Sequence, residues 1–195
     1  MTTKKYLVFL VVLTCVSVCV ASASVARAQQ PAPTPAINLM PMPASVKFNG
    51  DRLAVNDSFK VATRGHSDDR LKAAIARFVK RLEGRTVLTL APGLAVDDQM
   101  TQLIVHCDGA GKSVPSVSEN ETYRIDITDR QAILKAPTVV GAIRGLETVL
   151  QLLNADRNGY FFPGVVVEDQ PRFPWRGLLI DVARHFQTME TLKRN

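Results

Sequence analysis

Pro171-Arg-Phe-Pro-Trp-Arg-Gly-Leu-Leu-Ile-Asp-Val-Ala-Arg-His-Phe186 is the stretch on which the reading of the fold turns. Pro171 and Pro174 hold its start extended, because a residue before proline is pushed out of the helical region. The run from Gly177 to Asp181 is short and apolar at consecutive positions, as in a strand covered on both faces, so a parallel-sheet strand is expected there. Charged residues, Asp181, Arg184 and His185, gather where that strand should end. Gln187-Thr-Met-Glu-Thr-Leu-Lys-Arg194 then places Thr188 and Glu190 as a helix start requires, with no terminator before Asn195. A strand followed by the first turns of a helix is half of a βα unit, so the sequence predicts a second domain that is truncated here.

The same residues, with Lys193-Arg194-Asn195 a few positions on, resemble the opening of the catalytic domain of family 20 glycoside hydrolases, the β-N-acetylhexosaminidases. The resemblance implies a (β/α)8 barrel, of which residues 171–195 supply the first strand and the start of the first helix. It also implies a glycan substrate ending in N-acetylhexosamine and no cofactor. In this family the sugar's own 2-acetamido carbonyl attacks the anomeric carbon, an exception to the two-carboxylate scheme. An aspartate orients that group and a neighbouring glutamate protonates the leaving group. No residue up to Asn195 matches this pair, so no catalytic residue is expected in this chain, and the chain alone is expected to be inactive.

One binding residue carries over. Arg176, of the Trp175-Arg176-Gly177 match, corresponds to the arginine that hydrogen-bonds hydroxyls of the terminal sugar; its fixed fork of donors can span vicinal oxygens. A structural arginine paired with a carboxylate is the other reading. Barrel active sites lie at the C-terminal ends of strands, yet Arg176 precedes the apolar run. Either the strand starts later than Gly177 or the side chain reaches inward past that small residue. For Asp181, Arg184 and His185, a salt-bridged structural cluster stands level with sugar contact.

Upstream, residues 38–170 read as a smaller domain of mixed α/β class: an α+β arrangement with a mainly antiparallel sheet and two helices. The second helix is expected from Val139 to about Asn154, capped by Thr138, with Ile143, Leu146, Val149, Leu150 and Leu153 inward. Gly141 and Gly145 weaken it locally and are read as permitting close packing on the sheet. The first helix is expected over 68–83, with Ser67 as N-cap, Gly84 just past the end, and Leu71, Ile75, Phe78 and Leu82 on one face. Its basic residues off that stripe read as a solvated face. Strands are expected at 87–90, 103–106, 123–128 and 132–136, the third alternating Tyr123, Ile125 and Ile127 against Arg124, Asp126 and Thr128. Asn49-Gly50, between Val46-Lys-Phe48 and Leu53-Ala-Val55, predicts a hairpin. The order of elements, the Pro41-Met-Pro-Ala opening and the Gly141-x-x-x-Gly-Leu-Glu-Thr-Val-Leu-Gln-Leu-Leu153 run resemble the accessory domain that precedes the barrel in the same family.

At the other end, Lys4 and Lys5, an apolar stretch from Tyr6 to about Val20 and then small residues make residues 1–28 a secretory leader, expected to be cut after Ala28, with Ala21-Ser22-Ala23 as the alternative cleavage site. A membrane anchor is disfavoured, since the apolar core is short for a span of about 20 residues. Residues 29–37 form a proline-rich linker. The leader carries Lys4, Lys5 and Arg27 and no acid, so its removal takes the formal charge from +6 to +3. With no basic block, clustered charge for nucleic acid is missing. The protein is thus expected to be exported, periplasmic or extracellular, and off the membrane once the leader is cut.

Two of the three cysteines leave with the leader, and Cys107 remains without an internal disulfide partner. His106 and Cys107 point to opposite faces of a strand and His66 stands alone, so no metal site is expected. The acid pairs Asp68-Asp69, Asp97-Asp98 and Glu168-Asp169 read as a helix start, a loop and an interdomain segment. A non-catalytic exported carbohydrate-binding or support module is the rival reading. The open βα unit opposes it, because a finished domain would cover that apolar surface.

Overall fold

The computed structural model describes residues 38–90, 101–114, 116–177 and 179–194; the expected leader, the linker and the Asp97-Asp98 pair lie outside them. In chain order the elements are β1 (Ser45–Val55), β2 (Val61–Gly65), α1 (Asp69–Thr86), β3 (Leu103–Gly109), β4 (Tyr123–Ile127), β5 (Ala132–Thr138), α2 (Val139–Gln151), β6 (Asn154–Asp156), β7 (Gly159–Asp169) and α3 (Met189–Arg194). One mixed sheet runs β1-β7-β4-β5-β3-β2, with β6 attached to β7. Its β2–β3 and β3–β5 pairs are parallel, and the pairs made by β4 and β7 are antiparallel.

Alternation along the strands divides the sheet into an apolar and a charged face. Tyr123, Ile125 and Ile127 of β4, Ala132, Leu134 and Ala136 of β5, and Leu103, Val105 and Cys107 of β3 enter one core. Arg124 and Asp126 point the other way, where Arg124 pairs with Glu168 of β7 and, at 3.8 Å, with Asp126. Leu71, Ile75, Phe78 and Leu82 of α1 and Ala142, Leu146, Val149 and Leu150 of α2 join the same core, so the helices cover the apolar face.

The helix ends differ from the sequence expectation in an instructive way. Asp68, not Ser67, caps α1: its carboxylate accepts from Leu71 N at 2.9 Å, and Arg70 Nε donates to the same side chain. Burial pushes the Asp68 carboxyl up, but these hydrogen bonds outweigh it and the net shift is down. Gly84 does not end the helix. The chain runs on to Thr86 and stops at Val87 in the left-handed region, φ 59°, with Val87 N bonded to Glu83 O. The strand expected at 87–90 does not form, although Leu90 is buried in the core. Thr138 caps α2 as expected, its hydroxyl accepting from Gly141 N, but α2 stops at Gln151 because Asn154 turns into β6.

The hairpin expected at Asn49-Gly50 is replaced by a bulge inside a single strand. Both flanks of β1 pair with β7, and Asn49, Gly50 and Asp51 sit opposite the lone Gly164. A Cβ on Gly164 would lie 2.0 Å from Asn49 Oδ1 and 2.4 Å from Asp51 Cβ, so only glycine lets the bulge fold over β7. Asn49 fastens it by accepting from Asp51 N at 2.9 Å and donating to Ile127 O at 3.0 Å.

Past Gln170 the expected strand does not form among the described residues: Gly177 and residues 179–181 belong to no strand and are exposed. A parallel strand is held by neighbours that satisfy its backbone groups, and none of the described strands lies beside this one. The helix start after it does form as α3, with Thr188 Oγ1 accepting from Thr191 N at 3.2 Å.

Candidate functional site

The site is assembled where β7 ends and the Pro171–Arg176 segment folds back over the start of β4 and the flank of α2. A cavity of about 530 Å³ lies between this segment, Met40–Met42 and α2. Its floor is a polar chain built on rigid elements. Tyr123, buried at the start of β4, donates its hydroxyl proton to Asp169 Oδ2 at 2.9 Å and is left to accept from Thr148 Oγ1 at 2.7 Å. Asp169 uses its other oxygen to hold Ala44 N at 3.1 Å and Gln170 N at 2.9 Å, which ties the first described residues to the exit of β7. Burial first, and then the Asp169 carboxylate, push the Tyr123 hydroxyl well above its ordinary range, so it is a permanent hydrogen-bond donor.

Beside this floor stands a three-membered charge cluster. Glu121 is only 13% exposed, and its Oε2 accepts from Arg144 Nε of α2 at 2.9 Å and from Arg176 Nη2. Arg176 Nη1 also donates to Phe173 O at 2.6 Å, closing a turn within the segment. Gly141 explains why α2 lies close enough. A Cβ there would sit 2.4 Å from Thr122 O, so the helix rests against the backbone of residues 121–122, and Arg144, one turn on, reaches Glu121.

Arg176 is therefore fixed by the smaller domain, through Glu121, with its side chain 39% exposed. Asp181 and Arg184 form an i,i+3 pair at 3.4 Å, both exposed, and His185 Nδ1 lies 2.5 Å from Arg184 O. Arg176 does not share partners with them. His66 and His106 lie elsewhere. His66 Nε2 is buried without a hydrogen bond and stands 3.8 Å from Asp68, while His106 meets Asp108 at 3.1 Å on the face opposite Cys107. Cys107 is buried, which pushes its thiol up and away from reactivity. Among the described residues no three of His, Cys, Asp and Glu come together as a metal site, and no helix is long and apolar enough to cross a membrane.

Sequence reasoning missed Glu121, Arg144, Tyr123 and Asp169. Glu121 carries no signal of its own in the sequence, and Asp169 is legible only as part of the Glu168-Asp169 acid pair. The usable signal was an arginine spaced one turn after Gly141, since a helical glycine that permits close approach leaves its neighbours in the i+3 position over the contact.

A mixed sheet with α1 and α2 on one face, whose last strand leads into an arginine-bearing segment that lies against Glu121, defines a domain of mixed α/β class. The family model for glycosyl hydrolase family 20, domain 2, matches residues 36–170. The chain belongs to glycosyl hydrolase family 20. It is 33% identical over 191 residues to the human β-hexosaminidase subunit beta, across 91% of this chain and 34% of that protein. Against the pig β-hexosaminidase subunit beta it is 42% identical over 100 residues, 51% of this chain and 19% of that one. The X-ray structure of a Flavobacterium johnsoniae chitobiase superimposes with a TM-score of 0.75 at 37% identity, covering 80% of this chain and 24% of that chain. A Streptomyces plicatus N-acetyl-β-hexosaminidase shares the fold, with a TM-score of 0.64 at 24% identity over 85% of this chain and 32% of that one. The chain thus spans about a third of the length of the human relative and about a fifth of that of the pig relative.

Proposed function

We propose that these residues are the N-terminal part of an exported β-N-acetylhexosaminidase that removes terminal, non-reducing N-acetylhexosamine from glycans. In this reading, residues 38–170 are the accessory domain, and residues 171–195 open a (β/α)8 barrel whose later strands bear the aspartate and glutamate of substrate-assisted, retaining hydrolysis. Arg176 binds hydroxyls of the terminal sugar, which a planar guanidinium can span with two parallel donors. The leader at residues 1–28 sends the protein out of the cytoplasm. The observation that carries this is order: a domain 2 match ending at residue 170, followed directly by Pro171–Phe186. The exposed apolar side chains of that segment, Trp175 and Leu179 among them, are surface that further strands would cover.

The test is hydrolysis of 4-nitrophenyl N-acetyl-β-D-glucosaminide, with the first-formed sugar followed by NMR. Chain extended past Asn195 by its own coding sequence is expected to release nitrophenol and the β-anomer, whereas residues 38–195 alone release none. Turnover by the shorter chain, or an α-anomer as first product, overturns the reading.

A further inference from the structure

We infer that Asn158 is a site of spontaneous modification to isoaspartate, whereas the fold holds the other Asn-Gly pair of the chain, at Asn49, unreactive. Asn-Gly occurs at these two places and no others. Glycine is the successor that shields its own amide nitrogen least, because it has no side chain. The glycine nitrogen attacks the asparagine Cγ, the side-chain amide leaves as ammonia, and a five-membered succinimide forms. Water then opens the ring at the main-chain carbonyl to give isoaspartate, or at the side-chain carbonyl to give aspartate. The net reaction consumes one water and releases one ammonia, with no oxidation, and turns a neutral side chain into a carboxylate.

Both pairs share this chemistry, so the fold decides between them. Asn49 lies in the β1 bulge with both ends of its amide engaged: Oδ1 accepts from Asp51 N at 2.9 Å and Nδ2 donates to Ile127 O at 3.0 Å. Its Cγ cannot swing toward Gly50 N until both bonds break and the bulge lifts from Gly164 of β7. Asn158 is exposed, and among the described residues no hydrogen bond reaches its side chain; only its backbone N is held, donating to Asp156 Oδ1 at 2.7 Å. Gly159 opens β7 with φ 106° and nothing within 4 Å of a Cβ placed on it. It faces Asp156, the last residue of β6, a strand of three exposed residues that pairs only with β7. So short a fringe opens at little cost, and opening frees the Gly159 amide to attack.

The two sites also differ in what a new charge would meet. A carboxylate at 158 stands beside Arg52, which pairs with Asp156, donates to Gly159 O at 3.4 Å and lies over the Phe161 ring at 3.7 Å. None of these residues belongs to the buried core. At 49 the change would replace the Nδ2 donor by an oxygen aimed at the Ile127 carbonyl, leaving that carbonyl short of a partner.

The experiment holds the full-length protein in mildly alkaline buffer, one sample native and one in concentrated urea. Digests taken over time are followed by mass spectrometry, and isoaspartate is scored by its enzymatic methylation. In urea both sites are expected to convert at similar rates, because the dipeptide is the same. In the native protein Asn158 is expected to stay within a few-fold of its rate in urea. Asn49 is expected to slow at least about tenfold, the factor that two hydrogen bonds of ordinary strength supply when both must break first. Asn158→Gln, whose longer side chain closes a ring far more slowly, is expected to abolish the signal from the hairpin peptide and leave Asn49 as before. Asn158→Asp is expected to melt with the parent, and Asn49→Asp below it. Native protection of Asn158 as strong as that of Asn49 overturns the inference, and so does native conversion at Asn49 that keeps pace with Asn158. Neither result depends on catalytic activity.

Discussion

Tyr123 shows how much one side chain can tie together. Its hydroxyl links the start of β4 to Thr148 of α2 and to Asp169, and through Asp169 to Ala44 and Gln170. Tyr123→Phe removes the donor and leaves a buried threonine hydroxyl and a carboxylate oxygen short of a partner, which costs about 1–3 kcal/mol. The pH dependence gives a second readout. An unfolded tyrosine loses its proton near pH 10, while in the folded chain burial raises that value. The folded state therefore keeps a proton that the unfolded state has released, and stability is present in full below about pH 10 and declines as pH rises above it. Urea titrations between pH 8 and 11 are expected to show this loss in the parent and a flatter profile in Tyr123→Phe. Equal slopes in both would assign the alkaline loss to other groups.

At the scale of elements, two helical glycines with the same local chemistry make opposite demands. Gly84 lies inside α1 with nothing within 4 Å of a Cβ placed on it, whereas the Cβ of an alanine at 141 would strike Thr122 O. Gly84→Ala is thus expected to stabilise the fold by about 0.5–1 kcal/mol through helix propensity alone. Gly141→Ala gains the same propensity but must push α2 off the backbone of residues 121–122, for a net loss of about 1–3 kcal/mol. Melting temperatures of the two variants should move in opposite directions. The contrast also explains what the sequence could reveal. Long amphipathic stripes made α1 and α2 plain, and alternation made β4 plain, because one buried face imposes its period on the chain. Gly84 misled as a helix terminator, since a glycine in the sequence does not say whether it permits a left-handed turn or merely a gap. Asn49-Gly50 reads as a hairpin turn, yet it faces Gly164 across one bulge, a relation between residues more than a hundred positions apart. That pairing hid β7, the strand that borders both β1 and β4. Around the cavity, Arg176 stands in a motif the sequence displays, but its partner Glu121 stands in none. Nothing local distinguishes a glutamate in a turn from one held between two arginines.

For the whole molecule the question is which part of the chain carries its own stability. Every residue of the hydrophobic core cluster lies between Leu39 and Val167. Among the described residues beyond Gln170, Phe173, Trp175, Leu179, Ile180, Val182, Phe186 and Met189 are exposed, Trp175 at 78% and Leu179 at 96%. Among the described residues the segment contributes no member of the buried core, and the ion pair from Arg176 to Glu121 ties it to the domain. A partly exposed pair of this kind is worth about 1 kcal/mol or less. Residues 38–170 are therefore expected to fold alone, with a cooperative transition within a few degrees of that of residues 38–195. The longer chain is expected to bind more of a dye that fluoresces on apolar surface and to aggregate sooner on warming, because its exposed run is rich in Leu, Ile, Val and aromatic residues. Calorimetry and dye titration on the two chains decide the matter. If residues 38–170 fail to show a cooperative transition, the segment after Gln170 is part of the folding unit, and the apparent independence of the smaller domain is wrong. If both fold and the dye signal follows the segment, the exposed apolar surface belongs to the residues after Gln170, and the core between Leu39 and Val167 holds without them.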